Sequence, residues 1–103
     1  MITTIVRFRL APGETHEQAL EEIRRTIPIY QAAGPALIRK AIHLDAAAGA
    51  GRSIYLWADR ASAEAFFARA SAMIKAKTGH APEVEYLDCH VLVDNLAGEV
   101  TFA

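Results

Sequence analysis

The stretch from Arg52 to Phe67, RSIYLWADRASAEAFF, joins a strand pattern directly to a helix pattern and limits the possible folds more than any other part of the chain. Its first half alternates Ser53, Tyr55 and Trp57 with Ile54, Leu56 and Ala58, the two-residue period of a strand. Both faces are apolar or aromatic, so both need cover. Asp59 is a good N-cap for a helix, and Ala63, Phe66, Phe67, Ala70 and Ile74 then fall on one helical stripe. Helices of a small domain cover one side of such a strand. Our reading puts Tyr55 and Trp57 on the other side, hidden against a second copy of the chain.

The remaining elements come from local signals. Ile2 to Leu10 is rich in β-branched and aromatic residues and ends at the turn Ala11-Pro12-Gly13. Thr15 and Gln18 form a T-x-x-Q capping box, after which Ala19, Leu20, Ile23 and Ile27 recur at helical spacing. Pro28 is expected to kink this helix or end it near Thr26. Ala36 to Asp45 alternates again, the small AAAGAG after it reads as a hairpin loop, and a third strand runs from about Arg52 to Ala58. Gly79 stops the second helix. EVEYLDCHVLVD, after Pro82, is read as one last strand.

The order is β-α-β-β-α-β, an α+β ferredoxin-like arrangement in which right-handed crossovers place both helices on one face of a four-stranded antiparallel sheet. Residues 1–94 form this domain, and residues 95–103, with apolar Val100 and Phe102, form a tail expected to pack on a partner subunit.

Composition narrows the function. At 103 residues, with 52% hydrophobic and 22% charged residues, the chain reads as one globular domain. A net charge of −1 with scattered Lys and Arg provides no stripe for a phosphate backbone, so nucleic acid is not an expected partner. One cysteine, Cys89, excludes an intrachain disulfide and fits a reducing cytoplasm, and no apolar run is long enough for a membrane span. Cys89, placed beside Leu87 and Val91 on an aliphatic side, is expected to be a buried, inert thiol.

If the more uniformly aliphatic side of each strand meets the helices, the bare face gathers Arg7, Arg9, Arg39, His43, Tyr55, Trp57, Tyr86, Asp88 and His90. Aromatics with a few titratable groups on one concave surface suit a small-molecule pocket. His90 or His43 could act as a base, with Asp88 orienting His90, while Arg7 and Tyr55 hold an anion and Trp57 and Tyr86 supply contact area. A plainer reading makes both histidines hydrogen-bonded structural groups, Arg7 and Arg9 interface ion pairs, and Tyr55 and Trp57 interface core. No spacing supports a metal site built from His43, Asp88 and His90.

The run Ile54-Tyr55-Leu56-Trp57-Ala58-Asp59, with Ser62-Ala63, Phe66-Phe67 and Val84-Glu85-Tyr86-Leu87-Asp88, resembles the small proposed mono-oxygenases of the YdhR type. These belong to the dimeric α/β-barrel superfamily, which also holds antibiotic-biosynthesis mono-oxygenases and haem-degrading enzymes. The resemblance implies a homodimer with a ligand cavity and a cofactor-independent oxygenation of a small aromatic or polyketide-like substrate. The alternative is a non-catalytic ligand-binding or stress-related protein using the same cavity. Two departures stand out. Several members carry a histidine about one turn before the end of the second helix, where this chain has Ala70 or Ser71. The haem-degrading relatives share an Asn near the end of strand one, a Trp and that histidine; only Trp57 has a counterpart here, which disfavours haem cleavage.

Overall fold

Each helix begins at the cap its sequence announces. Thr15 Oγ1 accepts from the Gln18 N–H at 3.2 Å while Gln18 Oε1 accepts from the Thr15 N–H at 2.9 Å, the reciprocal pair that satisfies two otherwise orphaned donors. Asp59 accepts from the Ser62 N–H at 2.7 Å and opens the second helix, which ends where Gly79 takes a left-handed conformation (φ 82°). The computed structural model describes residues 1–103. In chain order it comprises β1 (Ile2–Arg9), α1 (His16–Ala32), β2 (Leu37–Asp45), β3 (Ala50–Trp57), α2 (Arg60–Thr78), β4 (Glu83–Asp88), β5 (Val91–Asp94) and β6 (Glu99–Phe102).

The first four strands form one antiparallel sheet in the order β2-β3-β1-β4, with the helices packed on one of its faces. This is the ferredoxin-like βαββαβ arrangement. No helix is long and apolar enough to cross a membrane. Three details refine the sequence reading. Pro28 lies inside α1 without ending it, because a helix can lose one donor and still run on to Ala32 when its face is packed. The final strand is two, broken at Cys89 and His90; the Cys89 N–H still donates to the Met1 carbonyl at 3.0 Å, in register with the last ladder pair Ile2–Asp88. Val91 onward then pairs with Glu99–Phe102 as a separate hairpin.

Register decides which side chains share a face. Lys40, Tyr55, Thr4 and Tyr86 stand opposite one another across β2, β3, β1 and β4, and their row faces the helices. Ile42, Ser53, Val6 and Val84 form the next helix-facing row. The outer face carries Arg39, Leu56, Thr3 and Leu87, then Ala41, Ile54, Ile5 and Glu85, then His43, Arg52 and Arg7 with Glu83. Tyr55, Trp57 and Tyr86 are therefore beneath the helices and not on the bare face. The reason is volume: Phe66 and Phe67 of α2 and Tyr30 of α1 open a gap that broad rings fill, and Trp57 and Tyr55 are 1% and 4% exposed. Ile54 and Leu87, the aliphatic alternatives, point outward at 40% and 43% exposure. A bulge at Ile38, between Leu37 and Arg39 in the pairing with β3, brings Leu37 into the core as well.

The β5–β6 hairpin reaches back across the outer side. Asp94 bonds Arg39 Nη2 at 2.7 Å and also accepts from the Leu96 and Ala97 N–H groups at 3.1 and 3.2 Å, so one carboxylate closes the turn and ties it to β2. Backbone hydrogen bonding to Ala97, and then to Arg39, holds this carboxyl below its usual range. Cys89, expected to be buried, is only half-buried, because its alternation partners Glu85 and Leu87 face away from the helices.

Gly51 sits under the Phe8 ring, where an added Cβ would come within 2.6 Å of Phe8 Cε2 and 3.1 Å of the His43 carbonyl oxygen. Gly51→Ala is expected to cost about 1–3 kcal/mol by displacing that ring, read as a lower urea midpoint; an unchanged midpoint would mean that Phe8 has room to turn away.

Candidate functional site

The chemistry-bearing side chains on the helix face converge on the row Lys40–Tyr55–Thr4–Tyr86. Cross-strand spacing makes that row about 14 Å wide. Trp57 stacks on Tyr55 at 5.7 Å with the planes 10° apart, and Phe67 meets Tyr55 edge-on at 5.1 Å. Phe66 stands 5.3 Å from Trp57, and Tyr30 closes the α1 side at 6.3 Å from Tyr55. The Trp57 Nε1–H donates to Thr4 Oγ1 at 3.0 Å, which satisfies the indole and fixes the hydroxyl of a fully buried threonine.

The titratable groups of this row are tuned in opposite directions. Burial raises the Tyr55 phenol far above its ordinary value, with the neighbouring Tyr30 adding to the shift. Tyr86 moves the same way, again chiefly through burial. Both phenols therefore remain hydrogen-bond donors at any physiological pH. Lys40 moves down: burial pulls its ammonium from 10.5 to about 7, while the ring faces of Tyr30 and Tyr55, 3.1 and 4.5 Å from Nζ, favour the cation. An amine that gives up its proton near neutrality beside phenols that keep theirs is a base adjoining anion-stabilising donors.

The sequence-derived candidates are divided between two faces. Tyr55, Trp57 and Tyr86 come together under the helices. Asp88 pairs with Ile2 at the exposed end of β4, and His90 is exposed in the break before β5. Arg7 lies on the outer face, paired with Glu85 at 3.4 Å. His43 is also on the outer face, opposite Arg52. It borders an open cleft of about 650 Å³ at the sheet end, lined by Arg7, Arg9, Arg52, Asp45 and Glu83 among others. His43, Asp88 and His90 do not converge, and no group of three or more His, Cys, Asp or Glu could hold a metal ion. The expected aromatic groups thus lie on the opposite side of the sheet from Arg7 and His43, because alternation with a period of two separates neighbours such as Val6 and Arg7.

Lys40 is the group that sequence reasoning missed. The signal was present: Ile38, Lys40, Ile42 and Leu44 share one alternation class, and a single lysine among three aliphatic residues marks a stem lying along an apolar face.

No family model matches the sequence, and no curated protein matches it. Solved structures do. A crystal structure of an antibiotic biosynthesis mono-oxygenase aligns with a TM-score of 0.52 at 21% identity, covering 86% of this chain and 98% of that one. A proposed antibiotic biosynthesis mono-oxygenase from Bordetella bronchiseptica aligns at 0.61 and 17% identity, covering 85% and 95%. This chain has the fold of the antibiotic biosynthesis mono-oxygenases. A mutant of SnoaB, a cofactor-independent oxygenase from Streptomyces nogalater, shares it too, with a TM-score of 0.58 and 14% identity over 85% of this chain and 91% of that one. In each case nearly the whole of the neighbour is matched.

Proposed function

We propose that this protein is a cofactor-independent mono-oxygenase that acts on a small aromatic or polyketide-like substrate held between the helices and the sheet, in the manner of the YdhR-type proteins its sequence resembles. The observation that carries the reading is the Lys40–Tyr55–Thr4–Tyr86 row beneath an aromatic roof, on a fold shared with SnoaB, a cofactor-independent oxygenase. The phenols of Tyr55 and Tyr86 supply donors for the anion that must form before oxygen reacts. The test is oxygen consumption with anthrone, a ring-methylene ketone in tautomeric exchange with a phenol. Uptake that rises in proportion to protein supports an enzyme. Saturable binding of anthrone with uptake no faster than buffer would instead make the protein a non-catalytic binder of the same ligands.

The functional unit is proposed to be a homodimer joined through the outer sheet face, with the hairpin and residues 95–103 lying against the partner. Ile54 and Leu87 on the outer sheet, and Val91, Val93, Val100 and Phe102 on the hairpin, are large apolar groups exposed by 40–76%. A monomer rarely leaves a contiguous apolar surface of this size in water. Ile54 lies in the central row of that face. Ile54→Lys is expected to convert a dimer of the 11.2 kDa chain into a folded monomer at micromolar concentration, measured by sedimentation equilibrium. A wild-type chain that sediments as a monomer would refute the dimer.

A further inference from the structure

Lys40 occupies surroundings that a solvent-facing lysine does not need. It is half-buried on β2, the edge strand nearest α1, with its stem along the helix face of the sheet. Its Nζ stands 3.1 Å from the centre of the Tyr30 ring on α1 and 4.5 Å from that of Tyr55 on β3. The lysine and arginine ion pairs of the chain are made by Arg7, Arg24, Arg25, Arg39, Arg60 and Lys77, and none uses Lys40. The titratable groups placed against it are the two phenols, and burial holds that of Tyr55 in its neutral form. A desolvated amine without a carboxylate, beside the ring faces of two tyrosines, has a lone pair to offer near neutrality and a place to hold the cation it becomes.

We propose that Lys40 is the base of this site: its amine takes the hydroxyl proton of a bound phenol, and the ammonium, held at the faces of Tyr30 and Tyr55, stays paired with the phenolate. Its use in turnover rests on the mono-oxygenase reading, whereas the ionisation of a phenol does not. His43 and His90 lie outside the helix-facing row.

For a phenol in exchange with a ring-methylene ketone, loss of one proton to Lys40 gives an anion with density on the ring carbon. That anion passes one electron to dioxygen, and the resulting radical pair closes a carbon–oxygen bond. The peroxide anion recovers the proton from the Lys40 ammonium. Loss of water, taking the remaining hydrogen on that carbon, then leaves a carbonyl. Ring CH2 and O2 become C=O and H2O, and the amine returns to its starting state.

The experiment uses the full chain and 3-nitrophenol, whose phenolate absorbs in the visible, at a pH above about 7, where the Lys40 amine is free, and below the phenol's own pKa. Wild-type protein is expected to raise the phenolate band to a saturating value, and Lys40→Met to raise it at least about tenfold less. Oxygen uptake with anthrone is expected to fall about 100-fold or more in both Lys40→Met and Lys40→Arg, because arginine keeps the charge but offers no lone pair. A wild-type titration without a phenolate band, or an equal band in folded Lys40→Met, overturns the proposal whatever the oxygen result. Wild-type uptake in Lys40→Arg removes the base role also. A phenolate band that depends on Lys40, without any oxygen uptake, sustains the proton transfer and sinks the mono-oxygenase reading instead. If Lys40→Met does not fold, the wild-type titration and the arginine variant still decide.

Discussion

Trp57→Ala is expected to remove about 3–5 kcal/mol of folding free energy. Trp57 is the only tryptophan in the chain, is 1% exposed, and meets Tyr55, Phe66 and Phe67 at ring-centre distances between 5.3 and 5.9 Å. Truncation would leave a void the size of an indole against rings that cannot all move inward, and would also strip Thr4 Oγ1 of its donor. For a domain of this size the loss is a large share of a total of about 5–15 kcal/mol, and it would lower the melting temperature by roughly 15–30 °C. Trp57→Phe separates the two contributions. It keeps most of the ring packing and leaves the threonine hydroxyl without its donor, so a smaller loss of about 1–2 kcal/mol is expected. Both variants are measured by thermal melts monitored by circular dichroism. A Trp57→Ala loss below about 1 kcal/mol would show that the aromatic roof is not the core of this domain.

The second large effect has the opposite sign. Lys40→Met is expected to stabilise the fold at pH 6 by about 3 kcal/mol, even though it removes the proposed base. The folded ammonium titrates near 7 and the unfolded one near 10.5. At about 1.4 kcal/mol per pH unit, keeping the charge on the folded chain at low pH costs about 5 kcal/mol. The ring faces of Tyr30 and Tyr55 return about 1–2 kcal/mol of that. The sign comes from proton counting. Between about pH 7 and 10.5 the unfolded chain holds a proton that the folded chain has released, so wild-type stability rises with pH across that window. Below pH 7 the full penalty is present. The methionine variant has no such group, and its advantage should shrink steadily towards alkaline pH. Urea unfolding at pH 6 and pH 9 provides the measurement. An advantage of the same size at both values would show that Lys40 carries no shifted titration.

Local signals were legible and two-sided ones were not. Thr15, Gln18, Asp59 and Gly79 announce helix ends because each cap is a hydrogen bond or a backbone conformation that only a few residue types can provide. Element order came from them, and the ferredoxin-like topology came from the order. The facing of β3 was not legible. Ser53-Tyr55-Trp57 and Ile54-Leu56-Ala58 are both credible core sides, and the choice rests on which one α2 presents rings to, a tertiary fact. That choice moved Tyr55, Trp57 and Tyr86 to the helix side and left Arg7 and His43 on the other, so the expected site was divided in two. For Lys40, alternation along β2 marks the face its stem lies on, but the contact that buries its amine depends on Tyr30 of α1 folding back over the sheet. The break at Cys89 and His90 carries neither glycine nor proline and leaves no mark in the sequence.

The bulge at Ile38 bears on how such a chain can change. It lies between the α1–β2 connection and the first paired residue of the main ladder, Arg39 opposite Leu56, and beyond it the strand is still joined by the Ala58 N–H to the Ala36 carbonyl at 2.8 Å. A bulge takes up one surplus residue without passing the shift along the strand. Additions or losses in residues 33–38 can therefore be absorbed before they reach position 40, and the row that holds Lys40 opposite Tyr55 keeps its register. The connection is free to drift in length over evolutionary time while the amine and its rings stay together.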